Sequence, residues 1–229
     1  MKSARALTIL ATLIGIVAAC TVTTDNKETP VTSTSGPSGQ PEFSLLTDSG
    51  VEQIKDSRRA RFDFRDLTLT NAEVGLPSDH TQDVIIGGAG EPDVELTLVG
   101  PDAEETVRTQ TIWVANSRDG QFNYITFWRS FSSPEDAQQE LAEISARWGI
   151  LPANVDSWTE IAANARKDKK EKQNLGSGIG PTGLIIDLNA SIKNGVQVFQ
   201  YFVLLNARNY TPENIENIRT TGIGKIVAN

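Results

Sequence analysis

Two stretches of the chain carry the same grammar in the same order, and together they restrict the fold more than any other feature. The first reads "TQTIWVANSRDGQFNYITFWRSFSSPED" and the second "LIIDLNASIKNGVQVFQYFVLLNARNYTPEN". Each joins two apolar, β-branched and aromatic segments through a turn that ends in glycine, then reaches a hydroxyl residue followed by Pro and an acid. Asn194-Gly195 is the stronger turn signal, because both residues tolerate the positive φ of a two-residue primed turn, and Asp119-Gly120 offers a similar one. Ser133 and Thr211 can cap helices that open with Pro134 and Pro212, where the missing proline N–H leaves nothing unmet. The expected class is α+β: an antiparallel sheet with helices on one face and a possible duplicated ββα unit.

Other segments fit that class. From Phe62, "FDFRDLTLT" alternates as a half-buried strand does, and "DVELTLV" repeats the pattern. After Pro134, Ala137, Leu141, Ile144 and Trp148 fall on one helical face and Gly149 can stop the helix. A second helix is expected from Ser157, whose spacing to Glu160 suits a capping box, with Val155, Trp158, Ile161, Ala162 and Ala165 as its apolar side. It is expected to end in the solvated charge run "RKDKKEKQ", followed by a glycine-rich loop around Gly178.

The beginning of the chain has a different character. Lys2 and Arg5 precede an apolar run over residues 6–19, too short for a comfortable membrane span, and small residues lead to the single cysteine, Cys20. Val17-Ala18-Ala19-Cys20 resembles the lipobox of bacterial lipoproteins. That resemblance implies cleavage between Ala19 and Cys20, a diacylglyceryl group on Cys20, and residence on the extracytoplasmic face of a cell membrane. Each buried acyl methylene contributes about 0.8 kcal/mol, and stable anchoring takes more than one chain. Residues 20–41, rich in Thr, Ser, Pro and Gly, bury too little apolar surface to offset their ordering entropy and read as a tether with a reach of roughly 25 Å. The expected organisation is a signal peptide over 1–19, a lipidated tether over 20–41 and one α+β domain over 42–229.

Charge and motif spacing narrow the chemistry. The 29 acidic residues exceed the 21 basic ones, and losing Lys2 and Arg5 with the leader makes the remainder more acidic still. Nucleic acid is therefore not an expected partner. Gly178 to Gly183 matches G-x-G-x-x-G, but a dinucleotide site needs a strand before it and a helix after it, and the order here is reversed. "TGIGK" lacks Walker A spacing, and "GGAG" reads as a loop or bulge. His80 is the only histidine. A hydrolase would have to use it with Asp79 or Asp83, and no G-x-S-x-G elbow accompanies it. No cofactor and no metal site is expected, and the chain is read as non-catalytic.

The aromatics are the remaining functional candidates. Trp113, Tyr124, Trp128 and Tyr201 lie on the two hairpins, where apolar residues occupy both strand faces. Such strands are either covered on both sides or present a groove to a ligand or partner. The run "FWRSFSSPEDAQQELAEISARWG" and the hairpin after it are similar to the small LppA-type lipoproteins of actinobacteria. The expectation is a lipid-anchored envelope protein that binds a protein partner or envelope component, with a carrier for a small apolar ligand as the alternative and a His80 hydrolase as the least favoured reading.

Overall fold

The computed structural model describes residues 42–78, 82–115 and 120–226. The signal segment, Ala19, Cys20 and the tether lie outside those residues, as do Asp79, His80 and Asp119. Four helices are described: α1 (Asp48–Ser57), α2 (Pro134–Trp148), α3 (Pro152–Ala163) and α4 (Pro212–Thr221). The strands are β1 (Arg59–Asp63), β2 (Val84–Gly87), β3 (Val94–Val99), β4 (Glu104–Thr109), β5 (Thr111–Val114), β6 (Tyr124–Phe131), β7 (Glu171–Ile179), β8 (Ile185–Lys193) and β9 (Val196–Leu204). They form a small sheet ordered β1-β3-β4 and a larger one ordered β2-β5-β6-β9-β8-β7. Every neighbouring pair is antiparallel except β1 with β3. The fold is α+β, as the element order predicts.

Local chemistry sets the element ends. Ser133 Oγ accepts from the Asp136 N–H at 3.2 Å and Thr211 Oγ1 from the Asn214 N–H at 3.2 Å, each satisfying a helix-start donor. Gly149 and Gly222 end α2 and α4 at φ 72° and 69°. Asn194 and Gly195 both take positive φ, 53° and 81°, and close the tight turn between β8 and β9.

The large sheet has an inner and an outer face, and strand register assigns each side chain to one of them. Phe127 of β6 faces Tyr201 of β9, with ring centroids 4.6 Å apart and planes 7° from parallel. Ile112, Ile125, Ile186, Leu188, Phe199 and Val203 share that inner face and are fully buried. On it pack Leu141, Ile144 and Trp148 of α2 and Val155 and Trp158 of α3, and the core continues into α1 and the small sheet. A buried carboxylate is held there: Glu140 accepts from the Tyr201 hydroxyl at 2.5 Å and pairs with Arg129. Helix α4 lies across the other face. Its Ile218 packs with Ile185 and Leu204, and Tyr124, Ile179, Phe202 and Tyr210 surround that cluster.

Four local expectations need correction. The strand from Phe62 stops at Asp63, because Asp63 and Asp66 accept from the N–H groups of Arg65 and Thr68 at 3.2 and 2.8 Å and turn the chain. Helix α3 starts at Pro152, with Leu151 before it, so Ser157 is inside the helix. The connection between β5 and β6 spans residues 115–123, longer than a tight Asp119-Gly120 turn. The glycine-rich segment is a strand: Gly178 sits in β7 where a Cβ would come within 2.4 Å of the backbone at Trp148 and Gly149, so the residue permits β7 to pass the end of α2.

Candidate functional site

The outer face of the large sheet is built by the residues that alternate with its core positions. Because side chains in register lie about 4.8 Å apart from strand to strand, two rows cross it. One runs Thr111, Trp128, Gln200, Asn189, Asn174 over β5, β6, β9, β8 and β7. The other runs Ile85, Trp113, Thr126, Phe202, Asp187, Ser177, beginning on β2. Aromatic rings thus occupy one half of the face, and amides with a carboxylate occupy the other.

The aromatic half is a connected cluster. Trp113 lies 5.8 Å from Trp128 and 6.4 Å from Tyr124 by ring centroids, and Tyr124 lies 6.2 Å from Phe202. All four are half-buried. Ile85, facing Trp113 across the β2–β5 pair, is 57% exposed. Beneath the rings, Thr126 is fully buried and its hydroxyl has no hydrogen-bond partner. Burial and the negative charge of Asp83 raise the Tyr124 hydroxyl above its ordinary pKa, which keeps it protonated as a donor.

The polar half is partly organised and partly free. Asn174 Nδ2 donates to Asp187 Oδ1 at 2.9 Å and to Asn189 Oδ1 at 3.1 Å, and Ser177 Oγ donates to Asp187 Oδ2 at 3.0 Å. The Gly176 N–H donates to Asn174 Oδ1 at 2.7 Å, which fixes the amide's orientation. Burial raises the Asp187 pKa although the Asn174 and Ser177 hydrogen bonds oppose it. Gln200, half-buried between Trp128 and Asn189, makes no side-chain hydrogen bond among the described residues.

Trp113, Tyr124 and Trp128, expected from the sequence as surface candidates, come together on this face. Tyr201 does not. It is fully buried on the inner face between Phe127 and Trp148, and burial with the adjacent Glu140 charge pushes its hydroxyl pKa well above the usual value. Phe202 takes the outward place. The cue was Gln200: a polar residue in "VFQYFVLL" sets the strand's parity, and the residue two beyond it must share its face. Asn189, Asn174 and Ile85 carried no signal of their own, since their value comes from register between strands distant in sequence.

The arrangement offers stacking surfaces and hydrogen-bonding amides, beside one buried carboxyl, Asp187. Among the described residues, no cluster of three or more His, Cys, Asp or Glu side chains could hold a metal ion, and no helix is long and apolar enough to cross a membrane. His80 lies outside the described residues. No family model, no curated protein and no solved structure matches this chain.

Proposed function

We propose that this chain is a lipid-anchored, non-catalytic binding protein of the bacterial cell envelope, held through Cys20 on the extracytoplasmic face and using the outer face of its large sheet to engage an envelope component. The observation that carries the reading is the half-buried cluster of Trp113, Tyr124, Trp128 and Phe202 on rigid strands, whose Tyr124 and Phe202 side meets the α4 cluster and whose Trp113 side borders the exposed Ile85. Trp113 and Trp128 are only partly buried, and a binding partner that completes their burial recovers part of the about 1.5–3 kcal/mol that full burial of a large apolar side chain contributes. The leader grammar and Cys20 supply the location. The carrier reading draws less support, because the inner side of the sheet is filled by Phe127, Trp148, Trp158 and Tyr201, all fully buried.

Two measurements test the two halves. In a bacterium that lipidates exported cysteines, Cys20→Ala should move the protein from the detergent phase to the aqueous phase, and unchanged partitioning defeats the anchor. A photo-crosslinking residue placed at Trp128 in the full chain should give envelope adducts that the same residue at Glu216 does not. Equal labelling from both positions removes the binding face.

A further inference from the structure

We propose that the ligand of the outer face is a neutral polysaccharide strand lying across β5, β6, β9, β8 and β7, an inference that rests on the binding reading above and names its chemical class. The row Thr111, Trp128, Gln200, Asn189, Asn174 carries the argument. A pyranose ring has an apolar face of C–H groups and an equator of hydroxyls. Trp128 and Trp113, half-buried, 5.8 Å apart and tilted 38° from one another, each give that apolar face a ring to stack on. Gln200 and Asn189 follow at one and two strand spacings, about 5 and 10 Å on. Each amide presents both a donor and an acceptor, the pair that adjacent hydroxyls match. The Gln200 amide has no partner among the described residues, and Asn189 is engaged only through its oxygen, by Asn174.

Charge and desolvation exclude the other classes. The two rows contain no Lys or Arg, and the chain carries a formal net charge of −8, so a phosphate backbone meets no counter-charge there. An acyl chain over the same row would bury the Gln200 and Asn189 amides unpaired, at about 1–3 kcal/mol each. The row crosses four strand spacings, roughly 19 Å, which is a polymer's footprint rather than a monosaccharide's. All five side chains of this row reach the surface, Asn174 exposed and the others half-buried, so a strand can lie along the row without an end having to enter a pocket.

The molecule contains its own reporter. Trp113 and Trp128 are half-buried on this face, whereas Trp148 and Trp158 are fully buried beneath the other. The full chain in lipid nanodiscs, titrated with neutral hexaoses of glucose, mannose and N-acetylglucosamine, should show a saturable change in tryptophan emission and protection from acrylamide with at least one of them. Trp128→Ala should weaken that binding about tenfold, and Gln200→Ala about three- to tenfold, a loss an apolar ligand would not register. Circular dichroism of both variants confirms that the domain is intact. If no hexaose at about 10 mM alters the emission, or if binding survives both substitutions unchanged, the polysaccharide assignment is wrong. Should the Trp128 photo-crosslinks then lead to a protein, the binding face stands and its ligand class is replaced.

Discussion

Glu140 shows how a single residue ties two layers together. It is 4% exposed, yet it is an acid on α2, acceptable only because Arg129 of β6 pairs with it and the Tyr201 hydroxyl of β9 donates to it. Removing one partner of such a pair leaves a buried charge uncompensated, so Glu140→Ala should destabilise the domain by about 3–5 kcal/mol in denaturant unfolding. A loss below about 1 kcal/mol would mean that water reaches Arg129. Asp187 behaves differently, because burial raises its pKa above the unfolded value of 3.8. A carboxyl that holds its proton more tightly when folded contributes stability that is complete below the unfolded pKa and is lost as pH rises through the folded one. Asp187→Asn cannot ionise, so its stability relative to the parent should rise as pH climbs from the unfolded pKa of 3.8 through the higher folded one. A constant difference across that range would show that Asn174 and Ser177 fully compensate the ionised form. Neither role is legible in the sequence: Glu140 reads as one more polar residue of an amphipathic helix, and the partners that decide its value are distant in the chain.

At the scale of elements, the turn and cap residues were legible because their chemistry is local. Ser133, Thr211, Gly149 and the Asn194-Gly195 turn act where the sequence places them. The ββα duplication is legible only as far as the strands. Phe127 and Tyr201 stack across the β6–β9 pair, with Trp128 and Phe202 next along each strand on the outer face. The helices then part company, since α2 follows β6 after two residues and stays on the inner face. Between β9 and α4 seven residues intervene, including the 3-10 turn Ala207–Asn209, and α4 crosses to the outer face. The inner face was already filled by α2 and α3, which element order alone does not reveal. The glycines of β7 misled for a related reason: they permit close approach to backbone that arrives from elsewhere. Gly178→Ala should therefore cost about 2–3 kcal/mol through overpacking against Trp148 and Gly149. Gly195→Ala, where a Cβ meets nothing within 4 Å, should cost only the strain of its positive φ, about 1–2 kcal/mol. Equal costs at the two positions would refute the close-approach explanation.

For the whole molecule, the route of the chain matters more than the list of elements. β1 and β3 are parallel neighbours in the small sheet, yet between them the chain leaves to lay down β2 at the edge of the large sheet and then returns. The small sheet is thus stitched through the large one. All three strands of the small sheet are present by Thr109, whereas the large sheet is begun by β2 and finished only by β9, and cutting the chain between β1 and β2 would part β1 from β3 and β4. A nascent chain emerging from its N-terminal end would hold β1 without its partner until β3 appeared, and β2 without β5 for a shorter stretch of chain. The large sheet waits for its fourth strand in order, β9, so it closes only when residues 196–204 are available, well after every strand of the small sheet has been made.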